Sequence, residues 1–267
     1  MLDLAPFNTI LLDMDGVIYR GPQPLPGVND LLALCAARGI GYACVTNNST
    51  MTPQQYEAKL AGMGIAIPAA RIITSSVATR RFLEREFGRG TPAFYIGMYG
   101  LREALFADGY FVYDEQLPRV VVSGLDTELT YQKLKLATLA IRAGARYVAT
   151  NPDRTLPVEE GLVPGAGSII ALLRTATDVE PTVIGKPGAA MFQTAIDILG
   201  ADPRRTLTVG DRLDTDVAGA RGAGLAAGLV LTGVSTPELL AQSEIQPDRV
   251  FAGLPELVAA LEQAHGA

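Results

Sequence analysis

The chain has 267 residues, 48% of them hydrophobic, with 28 acidic side chains against 22 basic ones and a net charge of −6. That length and apolar content fill one large or two modest domains, and an acidic balance without a long basic run argues against nucleic acid or anionic membrane as a partner. The single histidine, His265, lies in the last three residues, which argues against Ser-His-Asp triads and zinc-histidine sites. Cys35 and Cys44 both sit in apolar segments and fit packing in a reducing compartment better than a disulfide framework. The amino terminus MLDLAPF lacks a basic region followed by an apolar one, and the longest apolar stretches are short or broken by glycine, as in Gly224 to Val234. A soluble, unexported, cytoplasmic chain is the expectation.

The first element is the stretch ILLDMDGVIYRG. Ile10, Leu11 and Leu12 are apolar on both faces, as in a covered parallel sheet, and Asp13 falls at the carboxyl end of that strand, where open α/β sheets bind ligands. Asp13 and Asp15 straddle Met14, and Gly16 permits a sharp turn that keeps both carboxylates near one point. Taken alone, Asp-x-Asp-Gly is equally well a polar turn. LPGV, Leu25 to Val28, leads into a helix in which Leu31, Leu34 and Cys35 share a face, stopped by Gly39. Gly41 to Thr46 is a second short strand followed by TNNST. Thr52-Pro53-Gln54-Gln55 supplies an N-cap, a proline at N1 and a capping-box glutamine for a helix whose apolar stripe is Tyr56, Leu60 and Met63. Ile72 and Ile73 open a third strand, completing a right-handed β-α-β-α-β run.

From about Val77 to Glu180 the alternation repeats on a smaller scale, with strands at Phe94 to Gly97, Val120 to Ser123 and Tyr147 to Thr150. A helix after Thr130 carries Leu134, Ala137 and Ile141 on one side. The final third returns to the first pattern, with strands at Thr182 to Ile184, Leu207 to Val209 and Leu225 to Leu231, and helices from Ala189, Thr215 and Pro237. TLTVGDRLDTD repeats the opening device of an apolar strand that delivers aspartates. Two such strands in one sheet point their acids at one crevice.

Four stretches therefore stand at strand ends or before helices: Asp13 with Asp15; Thr46 with Asn47 and Asn48; Gly185-Lys186-Pro187; and Gly210-Asp211 with Asp214 and Asp216. Together they supply an oxygen nucleophile, a proton donor, hydrogen-bond donors, a fixed cation and hard-metal ligands, the parts that phosphoryl transfer needs. Each piece alone reads as a turn, a helix cap or a solvated lysine, and the functional reading rests on their coincidence. Acids this close repel: at ~4 Å a like-charge pair costs ~4 kcal/mol at an effective dielectric of 20. Mg²⁺ between Asp13 and Asp211, with Lys186 nearby, would offset that repulsion and leave Asp15 free to carry a proton. GAG at Gly165 to Gly167 lacks the third glycine of a dinucleotide fingerprint, and no GxxxxGK[ST] loop exists.

In order and spacing, DMDGV, VTNNST, GKP and GDRLDTD resemble motifs one to four of the haloacid dehalogenase-like hydrolase superfamily. LPGV, TNPDRTLPVEEGLVPGAGS and the long middle segment resemble its 4-nitrophenylphosphatase or NagD-like branch, nearly end to end. The resemblance implies an α/β fold with a Rossmann-like parallel sheet core, residues 1–79 and 181–267, split by an inserted α/β cap domain, residues 80–180. It implies that Asp13 is the nucleophile and forms an aspartyl-phosphate, and that Asp15 protonates the leaving oxygen, then activates water, and touches Mg²⁺ through its backbone carbonyl. Asp211 completes the protein's metal ligands. Thr46, Asn47 and Asn48 bind substrate, Lys186 neutralises the phosphate, and Asp216 supports metal-bound water or Lys186, while the resemblance assigns Asp214 nothing beyond capping the following helix. The cap would close over the aspartates and set leaving-group choice, with Asn151, Asp153 and Arg154 as specificity candidates or simply as the shape of a hinge. The expected activity is Mg²⁺-dependent hydrolysis of a small phosphorylated metabolite, such as a sugar phosphate, nucleoside monophosphate, phosphoglycolate or pyridoxal phosphate. An apolar cap face would support a homodimer. Two alternatives stand beside this: a non-enzymatic phospho-acceptor module using Asp13, against which Asp15 and the cap speak, and dehalogenation, disfavoured by Asp15 and Asp211.

Overall fold

Thr9–Leu12 is buried at every position, which a strand achieves only when both faces of its sheet are covered. In the computed structural model, which describes residues 2–158 and 160–266, this strand is central to a six-stranded sheet. The order is Arg249–Phe251, Ala226–Val230, Thr206–Gly210, Thr9–Leu12, Gly41–Thr46 and Ile72–Thr74. Thr9–Leu12 pairs in parallel with both of its neighbours. The strands that follow it in sequence lie on one side, and those that end the chain lie on the other. The sheet's order therefore reverses between Thr9–Leu12 and Thr206–Gly210, the switch point at which such sheets bind ligands. Pairing continues one residue past the strand, as the Asp13 amide donates to the Val209 carbonyl at 2.9 Å. The carboxyl ends of the two strands are thereby level.

The chain divides into two compact units. One holds the residues up to Thr46, Pro53–Ile73 and the chain from Lys186 on; the other holds Asn47–Thr52 and Thr74–Gly185. The second unit has its own parallel sheet, ordered Thr182–Val183, Arg146–Ala149, Val120–Ser123, Thr91–Ile96 and Phe111–Tyr113. It also has its own core, in which Phe94, Ile96 and Val121 pack with Ala137 and Ile141 of Tyr131–Arg142 and Ile169 and Leu173 of Ala166–Thr177. Thr130 caps the first of these helices, accepting the Lys133 amide at 3.2 Å. An antiparallel hairpin, Thr155–Val158 with Gly161–Pro164, completes the unit. Among the described residues no helix is long and apolar enough to cross a membrane.

Three sequence expectations are corrected here. Thr182–Val183 does not rejoin the first sheet: Thr182 pairs with Val148 and Val183 with Ala149, and Ile184 and Gly185 donate to Ala149 and Thr150. A two-residue, half-buried edge strand carries no pattern that says which sheet it joins. The regular helix expected from Thr215 is instead a wide π-turn at Leu213–Val217 running into Ala218–Gly222. Met63 is only half-buried, so the apolar stripe of Pro53–Gly62 reduces to Tyr56 and Leu60. Cys35 and Cys44 are free and buried, and burial pushes the Cys44 thiol up to about 12, as packing residues require.

Candidate active site

After Leu12 the chain turns tightly. The Met14 carbonyl accepts the amides of Val17, Ile18 and Tyr19, at 3.3, 2.8 and 3.2 Å. Gly16, at φ 79°, makes that turn, and a Cβ there would lie 2.6 Å from Asp211 Oδ2, so glycine lets the first loop approach the carboxylate delivered by Thr206–Gly210. Gly233 approaches Asp211 from another side, and Asp211 Oδ2 accepts the Val234 amide at 2.6 Å.

Lys186 carries the site's ammonium, and it is 3% exposed. Its Nζ donates to Asp13 Oδ1, to Asp216 Oδ1 at 2.6 Å and to the Val45 carbonyl at 3.2 Å, which ties it to the end of Gly41–Thr46 just before Thr46. Asp216 accepts the Arg212 amide on its other oxygen at 3.1 Å, so both of its oxygens hold neighbours in place. The π-turn puts Asp216 inside while Asp214 faces outward, paired with Arg212 at 2.9 Å and 67% exposed. Asp13, Asp211 and Asp216 each place a carboxylate oxygen within 4.8 Å of the others.

The electrostatics follow from that crowding. Desolvation raises the pKa of Asp13 well above its ordinary value, with Lys186 opposing and Asp216 and Asp211 reinforcing the rise. Desolvation and Asp216 push Asp211 up to about 6, against the Val234 amide. Burial alone would lower the pKa of Lys186, yet Asp13 and Asp216 raise it, so it stays charged. Three carboxylates and one ammonium leave two negative charges when fully ionised, the complement of one divalent cation. The hard oxygen donors and this charge fit a metal such as Mg²⁺. Asp15 lies outside the cluster: its side chain reaches solvent, and its Oδ2 accepts the Tyr19 hydroxyl at 3.2 Å. Crowding by protein still raises its pKa, opposed by Lys59, Tyr19 and Lys186.

The remaining candidates divide. Thr46 is buried at the end of its strand. In the second unit, Asn47 Nδ2 donates to both oxygens of Asp153 at 3.3 Å. The Asn47 carbonyl accepts Ser75 Oγ at 2.6 Å and Asn151 Nδ2 at 2.8 Å. Asn48 Oδ1 is taken by the amide and hydroxyl of Thr50, both at 2.7 Å, so its side chain shapes the turn. Asn151 and Asp153 thus anchor Asn47, whereas the Arg154 side chain is exposed. Sequence reasoning did not single out Tyr19, Lys59 or Gly233 and read Tyr56 only as packing; the available signal was that a buried tyrosine hydroxyl needs a partner.

A parallel sheet whose switch point gathers three aspartates around one lysine has the parts that handling a phosphoryl group needs. Residues 10–111 match the model of the haloacid dehalogenase-like hydrolases, and residues 183–257 match a second model, described as HAD-hydrolase-like. The acid sugar phosphatase of Staphylococcus aureus is 36% identical over 257 residues, 96% of this chain and 99% of that one. The crystal structure of 4-nitrophenylphosphatase from Thermotoga maritima is 38% identical, with a TM-score of 0.93 over 98% of this chain and 100% of the other. Glycerol phosphate phosphatase from Mycobacterium tuberculosis, solved in complex with magnesium, is 35% identical, with a TM-score of 0.88 over 96% of this chain and 78% of that one. The chain belongs to the haloacid dehalogenase-like hydrolases. Within them it falls in the 4-nitrophenylphosphatase or NagD-like branch.

Proposed function

We propose that the protein is a Mg²⁺-dependent phosphatase that hydrolyses small phosphomonoesters through an aspartyl-phosphate on Asp13. The observation that carries this reading is the Asp13 carboxylate held by the buried Lys186 ammonium beside Asp211 at the sheet's switch point. An oxygen of Asp13 attacks phosphorus, and the ester P–O bond breaks. The departing oxygen takes a proton from Asp15, which then removes a proton from the water that cleaves the aspartyl-phosphate. Lys186 offsets charge on the phosphoryl oxygens, and Thr46 with its chain neighbour Asn47 supplies hydrogen bonds to them. Asp13 and Asp211, with the Asp15 carbonyl, would hold Mg²⁺, and Asp216 fits the role of fixing Lys186. The metal's contribution is to neutralise charge between the attacking carboxylate and the phosphate.

The names of the relatives, an acid sugar phosphatase and a glycerol phosphate phosphatase, support alkyl phosphates as the substrate class. The acidic balance of the chain supports an enzyme that needs neither nucleic acid nor membrane, and its two free, buried cysteines support a cytoplasmic one. Residues 80–180 are proposed as a cap that selects the leaving group. Arg154→Ala should reorder preference among phosphate esters while small-substrate turnover is largely kept; an unchanged ranking across a panel would remove Arg154 from that role. The test of the function itself is continuous hydrolysis of 4-nitrophenyl phosphate, abolished by chelation and restored by Mg²⁺. Release of one phosphate per chain and no more would instead mark a phospho-acceptor module.

The crowded acids also make a stability prediction. Below 3.8 Asp211 is protonated in both folded and unfolded chains; between 3.8 and about 6 the unfolded chain has lost that proton while the folded one keeps it. Stability contributed by this group therefore falls as pH rises through that window, and Asp13 shifts in the same sense. Mg²⁺ binds the ionised acids of the folded state, so it should raise the midpoint of thermal unfolding more at pH 7 than at pH 4. Equal increments at both pH values would contradict the metal assignment.

A further inference from the structure

Asp15 is an exposed carboxyl on a short side chain, and an acid that rotates freely delivers its proton poorly. The structure surrounds it with groups that the steps above do not use. Tyr19, 1% exposed, is locked to the same loop: its carbonyl accepts the Gly16 amide at 2.8 Å, and its amide donates to the Met14 carbonyl at 3.2 Å. Gly16 is held in turn, its carbonyl accepting the Thr232 hydroxyl at 2.6 Å. From this anchored position the Tyr19 hydroxyl donates to Asp15 Oδ2 at 3.2 Å. Tyr56 is likewise 1% exposed. Lys59, half-buried on the same helix as Tyr56, places its Nζ 4.0 Å from the centroid of the Tyr19 ring and 5.7 Å from that of Tyr56. A cation on the ring face holds the ring in place and costs little in solvation.

We infer that Tyr19, braced by Lys59, is the positioning residue that aims the Asp15 carboxyl at the leaving oxygen. The inference rests on the phosphatase reading above. With Oδ2 accepting the tyrosine hydroxyl, Oδ1 carries the transferable proton. As the ester P–O bond breaks and the bond from Asp13 to phosphorus forms, the leaving oxygen keeps the electron pair and takes the proton from Oδ1. The Tyr19 hydrogen bond then stabilises the carboxylate left behind.

Leaving-group chemistry separates positioning from packing. An alkoxide leaves only if it is protonated, whereas 4-nitrophenolate is stable enough to leave unaided. Tyr19→Phe keeps the buried ring and removes the hydroxyl. It should lower kcat/KM for glycerol phosphate by about 10- to 100-fold and for 4-nitrophenyl phosphate by less than ~3-fold, since misdirecting a general acid costs only substrates that need one. Lys59→Gln, on a half-buried helix position that tolerates change, should shift the ratio of the two substrates in the same direction, and Lys59→Arg should restore it. A proportional loss on both substrates in the two variants, or no loss on either, overturns the assignment. Wild-type protein that hydrolyses neither ester defeats the phosphatase reading itself, whereas an active wild type with an unmoved ratio defeats only the role of Tyr19.

Discussion

Asp13→Asn is expected to cut hydrolysis of 4-nitrophenyl phosphate by about 10⁴-fold or more, since an amide replaces the proposed nucleophile, on which both half-reactions would depend. The fold should survive the change. Asp13 is one of three crowded carboxylates, its pKa raised by desolvation and by Asp216 and Asp211, and Lys186 keeps Asp216 as a partner. Without metal, the variant should therefore unfold at a temperature no lower than the wild type. Unfolding curves beside the rate measurement separate lost chemistry from lost structure, and substantial turnover by a folded Asp13→Asn protein would remove this residue from the mechanism.

Lys186→Met has the second large effect, on stability and rate together. Methionine matches the length of the lysine stem but strands Asp13 and Asp216 without their shared cation. Breaking a buried ion pair from one side costs about 3–5 kcal/mol, and losing a charge aimed at the reacting phosphoryl group costs about 10²- to 10³-fold in rate. The stability loss should be larger at pH 7 than at pH 4, because protonating Asp13, whose pKa is raised, lowers the charge left unpaired. Chemical denaturation at the two pH values checks this. An equal loss at both would mean that Lys186 acts through packing rather than charge.

Much of the site was readable in the chain because a strand buried on both faces has a simple signature. Ile10 to Leu12 runs directly into Asp13, and Leu207 to Val209 runs into Gly210-Asp211; parallel pairing alone brings Asp13 level with the end of the second run. What escaped depends on longer-range choices. In GDRLDTD nothing marks which of the three acids turns inward. Only the π-turn at Leu213–Val217 sends Asp216 to Lys186 and Asp214 to solvent, and nothing in the residue types foretells an extra residue in a turn. Asn48 looks like Asn47 in sequence, yet its carbonyl oxygen closes a local turn on Thr50, a competition that short polar side chains often win. Thr182–Val183 is too short for its apolar pattern to choose between two parallel sheets. Tyr19 gave only the general signal that a buried hydroxyl needs a partner, and that partner lies four residues back across a turn whose geometry the sequence leaves open.

The most direct test of the account is to find the phosphoryl group on the protein. Asp15→Asn removes the base that activates water but leaves Asp13 able to attack 4-nitrophenyl phosphate, whose leaving group needs no proton. Acid quenching after one burst, followed by peptide mass analysis, should then show phosphate on the segment from Ile10 to Arg20, attached at Asp13 and labile to hydroxylamine. Nitrophenol release by the same protein with phosphate on another residue, or on none, would contradict a mechanism built on the Asp13 carboxylate.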